Sequence, residues 1–201
     1  MTNIYKLSYY NYVVNNFEFC WIKYISDTLN TCGFSNIFQL QNGGFSNWLT
    51  SSIKLRLIDQ FKQTWHSSLQ DMPRCFTYKL FKENLDYEEY FNILEDRDVF
   101  TLCRFRTLNH SLPIENGRWF NIERGERKCN LCTRNDIGDE YHYIMECPKF
   151  AAERRLFLPK NLTVRPNVLK FGALFNSKKI SVLKKLCKFI RHVNQTCSPP
   201  V

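Results

Sequence analysis

Cys129-Asn-Leu-Cys132, nine further residues, His142, four more, and then Cys147: this stretch decides how the rest of the chain is read. Three thiols and an imidazole spaced C-x2-C…H-x4-C supply four soft to borderline ligands, the number and kind that a closed tetrahedral zinc site needs. The first pair suits a tight turn with both sulfurs aimed at one ion. The second pair lies in Asp139-Glu-Tyr-His-Tyr-Ile-Met-Glu-Cys147, a helical run in which a five-residue separation falls slightly off one face. Pro148 is expected to push Cys147 out of helical backbone and back toward the metal. Arg134-Asn-Asp-Ile-Gly138 reads as the polar loop between the halves. Four protein ligands leave no position for water, so a single Zn2+ here is expected to be structural rather than catalytic. The competing reading is of buried thiols or a disulfide, with His142 a lone core histidine.

Downstream of the motif the charge is one-sided. From Lys149 onward there are twelve Lys or Arg and one acid, Glu153, so the net charge of +9 lies wholly in this segment. A cationic stretch of this kind points to a phosphate-bearing partner. A short helix is expected through Leu158, a loop from Pro159 to Pro166, a brief apolar turn near Leu169 to Phe175, and a last helix from Lys179 to about Asn194. That helix keeps Ile180, Leu183, Leu186, Ile190 and Val193 inside and turns Lys184, Lys185, Lys188 and Arg191 out. Ser198 to Val201 is expected to fray.

Upstream, His110 to Trp119 is turn-rich, with a short hairpin expected about Asn116-Gly117. Asp86–Leu94 and Asp96–Leu108 read as two helices with acids in their first turns. The carboxylates from Glu83 to Asp98 therefore read as solvated helix starts rather than a divalent-metal cluster. A helix over about Phe45–Leu69 carries Trp48, Ile53, Leu57, Phe61 and Trp65 as a core stripe, and Asn42-Gly-Gly44 marks a turn before it. Asn16–Thr31 reads as a helix with Phe17, Trp21, Tyr24, Ile25 and Leu29 on one side and Gly33 as its stop. His66 and His110 read as core or surface residues, since no nucleophile stands at a motif spacing from either.

The whole chain of 201 residues, 44% hydrophobic and 23% charged, can bury a core. No basic region followed by an apolar run opens it, and no stretch reaches about 18 uncharged apolar residues. A nuclear or cytoplasmic protein, neither secreted nor membrane-spanning, is expected. Nine cysteines without a secretory leader read as reduced thiols. Phosphate-loop, dinucleotide and nucleophile-elbow signatures are absent. The expected fold is mostly α: a helical region at 1–108, a zinc-binding module at 109–158 and a basic helical tail at 159–201.

Phe105-Arg-Thr-Leu-Asn-His110-Ser-Leu-Pro-Ile-Glu115-Asn-Gly-Arg-Trp119, the cysteine and histidine motif with Ile137-Gly-Asp-Glu-Tyr-His-Tyr143, and Cys147-Pro-Lys-Phe150 together carry a likeness. The chain resembles the carboxy-terminal region, after the reverse transcriptase, of non-LTR (LINE-type) retrotransposon polyproteins, and Gly33-Phe34, Trp48-Leu49, Asp59-Gln-Phe61, Gln63-Thr-Trp65, Arg165-Pro-Asn167 and Lys170-Phe171 extend the likeness over most of it. The resemblance implies a helical, zinc-carrying part that holds element RNA or target DNA. No acidic polymerase triad of the Tyr-x-Asp-Asp kind is present and no endonuclease precedes it, so binding without catalysis is expected. Beside the motif stand Arg118, Arg124, Arg127, Lys128, Lys149, Arg154 and Arg155, with Trp119, Tyr141 and Tyr143 available for stacking on bases. These, with Lys184, Lys185, Lys188 and Arg191, are the expected contacts to RNA or single-stranded DNA. The alternative is a protein-interaction domain whose amino-terminal aromatic helices dock on a polymerase core.

Overall fold

A computed structural model describes residues 3–16, 20–41 and 46–198. The architecture is mostly α: among the described residues there is no strand, only an isolated antiparallel bridge between Lys128 and Ile137. The chain divides into two compact units, Met1–Ser67 and Ser68–Val201.

The first unit holds α1 (Asn3–Val14), α2 (Cys20–Thr31), α3 (Ser35–Leu40) and most of α4 (Asn47–Asp71). Its small core gathers Ile22, Leu29 and Phe38, with Ile25, Phe34 and Ile53 packed against them. Gly33 does stop α2. At φ +79° its amide donates to the Asn30 carbonyl at 3.0 Å, and the Phe34 amide donates to Leu29 at 2.7 Å, closing a Schellman turn with Phe34 and Leu29 in one cluster. The buried face of α2 differs from the expected one: Ile22, Ser26 and Leu29 are inside, whereas Trp21 and Tyr24 are exposed. The α4 stripe also departs from expectation, since Trp48 and Phe61 are 66% and 61% exposed and Leu57 is exposed as well. Three short helices offer too little surface to cover a 25-residue helix, so of this stripe only Ile53 and Trp65 are half-buried. Phe17 and the Asn42-Gly-Gly44 turn lie outside the described residues.

The second unit adds α5 (Tyr90–Ile93), α6 (Asp96–Arg106), α7 (Pro113–Trp119), α8 (Ala151–Phe157), α9 (Lys160–Thr163), α10 (Val168–Phe175) and α11 (Ile180–Cys197). One core cluster runs through it from Phe81 to Cys197, so residues on both sides of positions 108 and 158 share an interior. Phe81 stacks on Phe175 at 4.4 Å, Phe105 on Phe175 at 5.7 Å, and Phe150 meets Phe189 edge-on at 6.1 Å. Fully burying each such ring contributes roughly 1.5–3 kcal/mol.

Helix α6 appears where its first-turn acids Asp96 and Asp98 and last-turn Arg104 and Arg106 suit the macrodipole. The expected Asp86–Leu94 helix shrinks to the single turn of α5, because Glu88 is drawn into ion pairs with Lys82 and Arg106. Asn116-Gly117 is not a hairpin. Pro113 opens α7 and Glu115 sits in its first turn, and Gly117 is needed for close approach: a Cβ there would lie 2.6 Å from Arg127 Cγ. The expected 159–166 loop contains α9, and the apolar turn near Leu169 is the helix α10 with Asn167 as its N-cap, accepting from the Lys170 amide at 2.8 Å.

Helix α11 buries Leu183, Leu186, Cys187, Phe189, Ile190 and Val193, but Ile180 is 44% exposed. Its basic face splits in two. Lys184 pairs with Glu95 at 2.6 Å, and Arg191 pairs with Asp98 at 2.6 Å and donates to Thr101 at 3.2 Å, tying α11 to the start of α6. Lys185 and Lys188 remain exposed and form no salt bridge among the described residues. Arg191→Gln is therefore expected to destabilise the second unit by about 1–2 kcal/mol, leaving the buried Asp98 without its charged donor. Lys188→Gln should leave the unfolding midpoint unchanged, a contrast that parallel denaturant titrations would read.

Candidate metal centre

The knuckle, the loop that carries Cys129 and Cys132, is built on the bridge at Lys128. The Cys129 amide donates to the Asp136 carbonyl at 2.9 Å and the Gly138 amide to Arg127 at 2.8 Å, so two short extended pieces bring Cys129 to the mouth of the 130–135 loop. Within the loop the Leu131 amide points at Cys129 Sγ, 3.4 Å away, which turns the chain so that Cys132 faces the same point.

The other two ligands come from a segment whose backbone solves the spacing problem. His142–Glu146 forms a π-turn, closed by the Cys147 amide donating to the His142 carbonyl at 2.7 Å. An i to i+5 turn places residues five apart over one another, which an α-turn does not. Asp139 starts it, its Oδ1 accepting from the His142 amide at 2.9 Å. Cys147, at φ −50° and ψ 122°, has left helical backbone ahead of Pro148.

The four ligand atoms all lie within 4.8 Å of one another. Cys129 Sγ and Cys147 Sγ are 3.9 Å apart, and Cys132 Sγ and His142 Nε2 are 3.5 Å apart. Zinc–sulfur and zinc–nitrogen bonds of about 2.3 and 2.05 Å set tetrahedral edges of about 3.8 Å for S–S and about 3.6 Å for S–N. The donor set and these two edges fit a tetrahedral ion of that size. Cys129, His142 and Cys147 are buried and Cys132 is half-buried. Burial pushes the Cys147 thiol up to about 12. Burial acts on Cys129 in the same sense, but the Tyr143 hydroxyl and the Leu131 amide hold it below the usual thiol range. Burial lowers His142, favouring the neutral imidazole that a ligand must be. A dication at the centre removes the penalty on the thiolates. All nine cysteines are free thiols.

Around the ligands stand residues that spacing alone does not reveal. His142 Nδ1 and Asp136 Oδ2 are 3.4 Å apart; the same carboxylate oxygen is ion-paired with Arg134 Nε at 2.9 Å, and His142 Nδ1 has no other partner. That is the carboxylate–imidazole contact which orients a ligating histidine. Arg154, 8% exposed, aims its guanidinium at the back of the π-turn and donates to the carbonyls of Ile144 at 2.7 Å, Cys147 at 2.9 Å and Tyr143 at 3.3 Å. Behind the knuckle, buried Glu140 accepts from Thr77 Oγ1 at 2.8 Å and meets His110 Nε2 at 2.7 Å. His110 is thus a core histidine. Burial alone would raise the Glu140 carboxyl, but these bonds hold it below its ordinary value.

The expected nucleic-acid contacts have varied fates. Arg154 is enclosed, and Lys184 and Arg191 are paired with acids. Arg118 is bound to Glu115 at 2.5 Å, and Arg127 to the carbonyls of Ile122 and Ile114 at 2.8 and 2.9 Å. Arg124 and Lys128 are half-buried, while Lys149, Arg155, Lys185 and Lys188 are exposed. Trp119 is 69% exposed, Tyr143 is fully buried, and Tyr141 packs edge-on against Phe171 at 5.5 Å. The carboxylates from Glu83 to Asp98 form no candidate metal cluster among the described residues, and no helix among them is long and apolar enough to cross a membrane. No protein-family model, curated protein or solved structure matches this chain.

Proposed function

We propose that the chain is a zinc-stabilised module that binds RNA or single-stranded DNA without catalysing a reaction on it. In this it would be similar to the region that follows the reverse transcriptase in non-LTR retrotransposons. One observation carries the reading: of the twelve cations from Lys149 onward, Arg154, Lys184 and Arg191 are used inside the fold, and the rest have no acid partner among the described residues. Charges that no acid neutralises are available to phosphates. The metal's part is to hold the knuckle and the π-turn, and through Arg154 the start of α8, in one arrangement.

Salt-titrated binding of zinc-loaded protein to RNA, single-stranded DNA and duplex tests this. Binding should favour the single strands, with a slope that Lys185→Gln and Lys188→Gln together flatten by about 1.4, or roughly 0.7 per lost phosphate contact. Equal or tighter binding to duplex, or none at low salt, would sink the proposal. The exposed Trp48, Leu57 and Phe61 of α4 favour a second reading, in which the first unit docks on another protein. Substituting them would then abolish that association and leave oligonucleotide affinity intact.

A further inference from the structure

A cavity of about 160 Å³ lies between the 3-10 turn Pro73–Cys75, α7 and the approach to Cys129, and four of the residues lining it are arginines: Arg74, Arg118, Arg124 and Arg127. Two of these are fixed by bonds already described, Arg118 by Glu115 and Arg127 by two carbonyls. The other two make no hydrogen bond among the described residues. Arg74 has its nearest acid, Glu115, at 3.7 Å, and Arg124 has Asp139 at 3.6 Å, both beyond hydrogen-bond reach. Arg124 is nonetheless held in place, its guanidinium lying 4.4 Å over the Phe76 ring.

Two guanidinium groups without a hydrogen-bonded protein partner, 49% and 38% exposed and lining one small cavity, can turn their donors to an acceptor with several oxygens. Two carboxylates line the space, Glu115 and Glu140, the latter already bonded to Thr77 and His110, and a third, Asp139, lies 3.6 Å from Arg124. Against four arginines the balance remains positive. A planar fork of N–H groups matches the oxygens of phosphate two at a time. The volume admits one phosphate with part of a sugar, well short of the roughly 300 Å³ or more of a drug-sized pocket. Beside it Trp119 stands exposed with the Arg118 guanidinium 4.5 Å over its ring, a platform on which an unpaired base can stack.

We propose that this pocket seats one backbone phosphate of a single-stranded nucleic acid between Arg74 and Arg124, with a neighbouring base stacked on Trp119. The inference rests on the nucleic-acid reading above and adds a site that the cationic segment after Lys149 does not contain.

Fluorescence anisotropy of a labelled oligouridylate, over a range of salt and with the zinc-loaded full chain, tests it. Changing Arg74 and Arg124 together to Gln should weaken binding by about tenfold or more, for the loss of charge-assisted bonds. It should also flatten the salt slope by about 1.4, at roughly 0.7 per contact. Trp119→Ala should weaken binding by about five- to a hundredfold and leave the slope as it was. If the double Gln variant does not fold, Arg74→Lys with Arg124→Lys replaces it: charge and slope should persist while affinity falls severalfold, because the fork is lost. Wild-type binding with affinity and slope unchanged in the double variants would overturn the pocket and leave the broader reading standing. No binding by the wild type would overturn both. A phosphoserine peptide bound more tightly than the oligouridylate would assign the pocket to a protein ligand and overturn the proposal as well.

Discussion

Cys132→Ala or His142→Ala is expected to abolish cooperative unfolding of the second unit as a whole. Cys129, Tyr143, Ile144, Met145 and Cys147 belong to the same buried cluster as Leu102 and Phe105 of α6 and Leu186 and Phe189 of α11. Losing the ion therefore loosens an interior to which distant helices contribute. Structural zinc in small domains carries roughly 10–16 kcal/mol of apparent binding energy, comparable to the whole stability of a domain at about 5–15 kcal/mol. Elemental analysis of reduced, folded protein should give one equivalent of zinc. The variants should give far less, with the helical signal of the second unit lost at the same time. Less than half an equivalent in the wild type, or a variant that melts like the wild type, would show that the four ligands do not hold an ion.

The second large effect is expected at Arg154. Arg154→Met keeps most of the apolar stem and removes the donors, so the carbonyls of Tyr143 and Ile144 in the π-turn lose the guanidinium while that of Cys147 keeps only the Phe150 amide. Each buried acceptor left without a partner costs about 1–3 kcal/mol, not additively, so for two of them a loss of about 2–4 kcal/mol is expected. A zinc ion with three thiolates carries a net negative charge, and the guanidinium behind Cys147 offsets it. Zinc affinity should accordingly fall in a chelator competition, even where the variant is still folded. The neighbouring Arg155, exposed and bonded only to the Ala151 carbonyl, is the control: Arg155→Met should stay within about 0.5 kcal/mol of the wild type. Equal stability and zinc affinity for both variants would remove Arg154 from the metal centre.

Those two arginines show where sequence reading stops. Adjacent in a basic run, both read as partners for phosphate, and only the turn of α8 that faces the knuckle separates an enclosed structural cation from a solvated one. The clustering of Cys129, Cys132, His142 and Cys147 was legible because metal chemistry constrains both residue type and spacing. Helix α11 was legible because its apolar period is long and unbroken, although its lysines and arginines could not be divided into paired and free without knowing that the acids of α6 lie alongside. Asn116-Gly117 misled because the dipeptide that favours a tight hairpin also leaves room for the Arg127 stem against a helix. The stripe of α4 misled for a different reason: periodicity records which face is apolar, not whether anything covers it. Arg74 and Asp136 carried no local signal, since what they contribute depends on residues that reach them only through the fold.

A π-turn amounts to one residue inserted into an α-helix, and this bears on how the motif tolerates deletions. Removing one residue between His142 and Cys147 would still leave both ligands on one face of a regular helix, four apart. The ion itself would be indifferent to the change. Everything after Pro148 would instead be rotated by about 100° and drawn back by about 1.5 Å relative to the knuckle, carrying Arg154 away from the carbonyls of Tyr143, Ile144 and Cys147. The four-residue gap between His142 and Cys147 is therefore a length set by the clasp behind the turn as much as by the candidate metal site in front of it.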